Sequence, residues 1–273
     1  PVKQVERGTF YRASDIARVT QEKVQQVRKR GELIDYLTFV PDGEPTLDGS
    51  LGQEIELLRP LGIKIAVITN ASLMWREDVR RDLGKADLVS LKVDTVSEAI
   101  WHRVNRPQKS LKIEAILAGM LRFADTFAGE LVTETMLIQG INDNRGEIEE
   151  TSYFLAELKP DRAYLAIPTR PPARRGTRAA DESAINMAYQ VLSQRLSGVE
   201  CLTGYEGNAF TLTGRVQDDL LSITSVHPMR QEAVVGLLER AGKDWKVIEK
   251  MIRDNVLIEL EYGGRKFYMR KLQ

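Results

Sequence analysis

Tyr36-Leu37-Thr38-Phe39-Val40-Pro41-Asp42-Gly43-Glu44-Pro45-Thr46 is a short apolar run cut off by a tract of proline, glycine and acid. The run has the length of a strand, and the residues that follow are those that stop one. The design returns along the chain. Ile65-Ala66-Val67-Ile68 precedes Thr69-Asn70, and Leu88-Val89-Ser90-Leu91 precedes Lys92-Val93-Asp94. Thr135-Met136-Leu137-Ile138 precedes Gln139-Gly140-Ile141-Asn142-Asp143, and Ala163-Tyr164-Leu165-Ala166-Ile167 precedes Pro168-Thr169-Arg170-Pro171-Pro172. Near-continuous apolar strands belong to parallel sheets, and the carboxyl ends of such strands are where α/β proteins hold ligands.

Segments of helical period lie between these runs. Ser14-Asp15 opens an amphipathic pattern through Ile16, Val19, Val24 and Val27 that stops near Gly31. Further helices are expected over 50–60, 76–84, 111–128, 144–158 and 181–196, with acids at 147, 149 and 150 favouring the start of the fifth and Lys159-Pro160 ending it. The alternation predicts an α/β domain with a mainly parallel sheet. From about Gln217 the pattern changes to three short helices (218–226, 230–241, 243–255) and two alternating runs around Gly263-Gly264, a hairpin signal. That order is expected of a winged helix. The division is placed between Gly204 and Gly214, giving domains 1–205 and 206–273.

The chain has 273 residues, with 39 basic residues balancing 39 acidic ones. No global field draws it to nucleic acid or to an anionic surface. No stretch approaches the roughly 20 apolar residues of a membrane helix, and a cytoplasmic location without a membrane partner is expected. Cys201 is the single cysteine, which excludes an internal disulfide framework and an all-cysteine metal site made by this chain alone. Two histidines, His102 and His227, do not make a metal centre, so no metal ligand is assigned. No Ser/His/Asp or Cys/His arrangement is present either, and no catalytic residue is assigned.

Individually the strand-end residues have plain readings. Asp42-Gly43-Glu44-Pro45 is a tight turn or a stiff loop offering a carboxylate to an ammonium group. Thr69-Asn70 is a helix cap or a ligand contact. Lys92 and Asp94 share a strand face and form either an ion pair or a grip for hydroxyl groups. Arg170, Arg174, Arg175 and Arg178 are a solvated loop or a positive lip. On the third C-terminal helix and hairpin, basic and acidic residues interleave, which dilutes a nucleic-acid-reading face.

Together, the blocks 39–47, 67–73, 90–94, Arg103-Val104-Asn105-Arg106-Pro107, 136–143 and 168–172 resemble the radical S-adenosylmethionine superfamily, within it the iron-sulfur oxidoreductases related to wyosine-forming tRNA enzymes. The resemblance implies a partial (β/α)6 barrel with its first strand missing from these residues. It implies that Asp42, Gly43 and Glu44 hold the methionine ammonium of S-adenosylmethionine, with Thr69 and Asn70 near the sulfonium and carboxylate. Lys92 and Asp94 then meet the ribose or carboxylate, Gly140 and Ile141 pack on adenine, and Thr169 offers backbone groups to its edge. The family's Cys-x3-Cys-x2-Cys loop, which holds a 4Fe-4S cluster, is absent, and the cluster ligands are expected upstream of Pro1. The implied reaction forms a 5'-deoxyadenosyl radical that takes hydrogen from a small molecule, peptide or RNA, with an electron donor such as ferredoxin or flavodoxin. The alternatives are a tRNA-modifying enzyme of wyosine type and a cluster-less nucleotide- or nucleic-acid-binding regulator.

Overall fold

The structure, a computed structural model, describes residues 3–40, 43–172, 176–202, 215–226, 228–262 and 264–271. Asp42, Arg174, Arg175, His227 and the division expected between 204 and 214 lie outside them. The chain divides into two compact units. One comprises 1–21, 34–168 and 176–203, the other 22–33, 169–175 and 204–273.

Helix α1 (Ala13–Lys29) comes first, followed by β1 (Tyr36–Phe39), α2 (Leu51–Leu58), β2 (Lys64–Thr69), α3 (Glu77–Leu83) and β3 (Leu88–Lys92). Then come α4 (Glu98–Val104), α5 (Ile113–Ala124), β4 (Glu130–Met136), α6 (Arg145–Leu158), β5 (Arg162–Ala166), α7 (Glu182–Ser193) and β6 (Val199–Leu202). The six strands pair in parallel in chain order, β1-β2-β3-β4-β5-β6. A sequential parallel sheet with right-handed crossovers carries all its helices on one face. The burial agrees: Ile65, Val67, Val89, Leu91, Leu131 and Leu165 join the helices' Ile55, Leu83, Ile116, Phe123, Leu155 and Val191 in one core. The opposite parity is mixed: Thr38 and Ile68 are exposed, whereas Ala66, Ser90 and Val132 are buried.

Two expectations are corrected. The sequence showed five strands, whereas the sheet has six, because Val199–Leu202 pairs with β5 through Ala163↔Val199 to Ala166↔Leu202. The fourth strand begins at Glu130 and ends at Met136, five residues earlier at its start than the apolar run suggested. Leu131, Thr133 and Thr135 on one face are buried, while the other face alternates half-buried Glu130 and Glu134 with buried Val132.

Caps fix where the crossovers start. Asn144 accepts from the Glu147 amide at 3.2 Å and Asp181 from the Ala184 amide at 2.8 Å, placing α6 and α7 within a residue of the sequence reading. Gly119 lets α5 approach the chain after β2, since a Cβ there would stand 2.1 Å from the Met74 carbonyl oxygen.

The second unit contains α8 (Val216–Val226), β7 (Met229–Arg230), α9 (Gln231–Arg240), α10 (Lys246–Arg253), β8 (Leu257–Tyr262) and β9 (Arg265–Arg270). Its antiparallel sheet runs β7-β9-β8, and β7 was not read from the sequence. Leu220, Met229, Val234, Leu237, Ile248 and Tyr268 are among the residues of its own core. No helix among the described residues is long and apolar enough to cross a membrane.

Candidate functional site

The carboxyl ends of β1 and β2 are joined through one side chain. Glu44, 8% exposed, caps the short 3-10 turn Pro45–Leu47. Its Oε1 accepts from the Thr46 amide at 3.1 Å, from Thr46 Oγ1 at 2.7 Å and from Thr69 Oγ1. Its Oε2 accepts from the Asn70 amide at 2.7 Å. Burial pushes the carboxyl above its usual range, against the pull of the donors on Thr69, Thr46 and Asn70. Glu44 is thus a staple between two loops, and Oε2, with one donor among the described residues, is the oxygen with capacity left for a ligand. Beside it, Ala71 has a left-handed backbone, φ 62°, held by its amide donating to Thr69 Oγ1 at 3.0 Å. A non-glycine residue so placed, at a strand end over a cleft, is stored strain of the order of 1 kcal/mol.

A second group sits on β3 and β4. The Lys92 ammonium lies 2.7 Å from Glu134 Oε1 and 3.4 Å from Asp94 Oδ1. Burial disfavours the ammonium, yet Asp94 and Glu134 outweigh it and the pKa of Lys92 rises. The Asp94 side chain is fully buried: Oδ1 accepts from the Met136 amide at 2.8 Å and Oδ2 from Asn105 Nδ2 at 2.7 Å. Asn142 Nδ2 donates to the Asp94 and Met136 carbonyls, and its Oδ1 accepts from the Ile138 amide. The expected ion pair is therefore present, extended into a network that also fixes the loop after β4.

A cavity of about 20 Å³, roughly the room of one water, lies beside the second group, with Asn70, Lys92, Asp94 and Asn105 on its wall. Glu44, Thr69, Asn70, Lys92 and Asp94 thus gather at the ends of three adjacent strands. Gly43 follows β1 with open space around its Cα. Gly140, φ 70°, makes the turn after β4, its amide donating to Asp143 Oδ1 at 2.9 Å, and Ile141 beside it is half-buried. Thr169 falls in the second unit. Glu134, Asn105 and Asn142 were not assigned from the sequence. Glu134 was hidden by the misplaced start of β4, and the two asparagines stood inside the recognised blocks without a spacing that marked them.

The set offers a ligand donor one carboxylate oxygen, Glu44 Oε2, and places the Lys92 ammonium, already paired with Asp94 and Glu134, at the cavity wall. It does not fit an iron-sulfur cluster. Among the described residues no three His, Cys, Asp or Glu stand together to hold a metal, and Cys201 lies exposed on β6.

No family model matches the chain. A UPF0026 protein of Methanocaldococcus jannaschii is 43% identical over 273 residues, covering 99% of this chain and 84% of that protein. The chain belongs to the UPF0026 family. In fold, this UPF0026 protein is similar to a radical SAM methyltransferase from Sphaerobacter thermophilus, with TM-score 0.53 and 17% identity over 70% of this chain and 57% of that one. An archaeal TYW1 structure matches with TM-score 0.51 and 16% identity over 71% of this chain and 67% of that one. The parallel six-stranded sheet is thus similar in fold to those two structures.

Proposed function

We propose that this UPF0026 protein is the nucleotide-holding part of a radical S-adenosylmethionine enzyme, its sheet curving as a partial barrel around the site. The observation that carries the reading is the convergence of Glu44, Asn70, Lys92 and Asp94 at the ends of β1, β2 and β3. Glu44 Oε2 receives the methionine ammonium, with Gly43, Thr69 and Asn70 framing it. Lys92 and Asp94 meet the carboxylate or ribose, and Gly140 and Ile141 border the adenine. Bound and given one electron by a reductant outside this chain, S-adenosylmethionine would supply radical hydrogen abstraction. The chain's part is to orient the nucleotide and keep water from it; Glu44 and Asp94 are already fixed by protein donors, so binding orders few groups. The thiolates of a 4Fe-4S cluster come, on this reading, from outside these 273 residues, and an electron donor of ferredoxin or flavodoxin type serves it.

The second unit is, on the same proposal, a winged-helix module within 206–273: its order α8-β7-α9-α10-β8-β9 places a hairpin after the third helix. Titration calorimetry with S-adenosylmethionine, which needs no reductant, tests the core of the reading. Micromolar saturable binding that Glu44→Ala abolishes is expected; no binding by the wild-type chain overturns it.

A further inference from the structure

Arg7 is nearly buried, its side chain 9% exposed, in a segment without helix or extended strand. Its guanidinium is a hub. Nε donates to the Thr46 carbonyl at 2.9 Å, and Nη2 donates to the Asp48 carbonyl at 2.6 Å and to Asp82 Oδ2 at 2.6 Å. Nη1 donates to Asp78 Oδ2 at 2.9 Å. The neighbouring backbone joins in, the Gly8 amide donating to the Leu47 carbonyl at 3.0 Å and the Gly49 amide to the Gly8 carbonyl at 2.9 Å. Every one of these contacts falls on α3 or on the turn that follows Glu44. Thr46 is the shared residue. Its carbonyl takes the Arg7 bond while its amide and hydroxyl both donate to Glu44 Oε1. An unbroken path of hydrogen bonds runs from α3 through Arg7 and Thr46 to Glu44, and from Glu44 to Thr69 and Asn70.

We propose that Arg7 is a positioning residue that aims the Glu44 carboxylate and thereby sets the protein's affinity for the nucleotide. Its geometry suits that role, because a planar fork that bonds two carbonyls and two carboxylates at once fixes direction as well as distance, which a lysine ammonium cannot do. The nucleotide half of the proposal rests on the function proposed above; the loop-holding half does not.

The test is Arg7→Lys, which keeps the charge and removes the fork, with Asp82→Asn as a milder second variant should the first not fold. Two readouts are taken on the full chain, amide hydrogen exchange at Thr46 and Asn70 and calorimetric binding of S-adenosylmethionine. Exchange about ten-fold faster at both amides is expected, with the Ala163 amide of the β5–β6 ladder unchanged, and nucleotide binding about ten-fold weaker. In a Glu44→Gln background the Arg7→Lys change then adds no further loss, because both act through one carboxylate. Unchanged exchange at Thr46 and Asn70, or acceleration spread evenly over the sheet, overturns the proposal. So does normal affinity in a variant whose loop amides are freed. A wild-type chain that binds no nucleotide brings down the proposed function, while the exchange result still decides whether Arg7 holds the loop.

Discussion

Among the described residues Glu44 takes three donors on one oxygen and a single donor on the other, so its substitutions separate stability from binding. Glu44→Gln turns an amide NH2 toward groups that are themselves donors and leaves some of them unpaired. A loss of about 1–3 kcal/mol in chemical denaturation is expected, and a variant as stable as wild type would refute the staple. Lys92 differs in kind, because its partners are charges. Lys92→Met leaves Asp94, whose side chain is fully buried, and Glu134 without their cation. The expected cost is about 3 kcal/mol, the low end for a broken buried pair, since the lysine is itself partly exposed. Pairing it with Glu134→Gln recovers part of the loss, and a double variant no better than the single one rules out Glu134 as a real partner. The Lys92–Asp94 pair was legible because residues two apart in an extended run share a face, although Asp94 lies two residues past the end of β3. Glu134 comes from another strand, and only the register Lys92↔Glu134 brings it there.

At the scale of elements, the strands legible in the sequence were those with nearly unbroken apolar runs. β2 and β3 were placed within a residue at either end because Ile65–Ile68 and Leu88–Leu91 are such runs. β4 starts ahead of its apolar run because Leu131-Val132 is only an apolar pair between Glu130 and Thr133-Glu134, too short to read as a strand. β6 was missed because its last three residues are exposed and Val-Glu-Cys-Leu gives no run at all. Glycines show the same contrast between local pattern and packing. Gly119 sits in α5 like any helix defect, yet only its lack of a side chain admits the Met74 backbone. Gly119→Ala is expected to destabilise by at least about 2 kcal/mol through overpacking. Gly236 in α9 has open space around it, and Gly236→Ala is expected to stabilise by up to about 1 kcal/mol from helix propensity alone. Urea denaturation of both variants decides the matter, and equal effects would mean that α5 does not approach Met74.

For the whole molecule, formal neutrality leaves local carboxylates to govern how stability varies with pH. Glu54 on α2 is 4% exposed, and burial, helped by the nearby charge of Asp48, raises its carboxyl to about 7. Its folded pKa lies above its unfolded value near 4.5, so the folded protein holds the proton more tightly. The stability this contributes is complete below about pH 4.5 and is lost as pH rises through 7. Asp78 works in the opposite sense: its hydrogen bond from Arg76 holds its carboxyl far below 3.8, so its contribution is present above that value and is lost in acid. The two windows do not overlap, which makes Glu54 separable. Glu54→Gln is expected to match wild type at pH 4 and to exceed it at pH 8 by on the order of 1 kcal/mol, after allowance for solvent screening. Glu44, whose carboxyl burial raises in the same direction, contributes a decline of the same sign that the variant retains. Thermal melts of both proteins from pH 4 to 8 measure this, and parallel curves would show that Glu54 reaches water and ionises freely. No sequence pattern announced this residue, because a glutamate one turn into an amphipathic helix reads as solvent-facing until the packing around it is known.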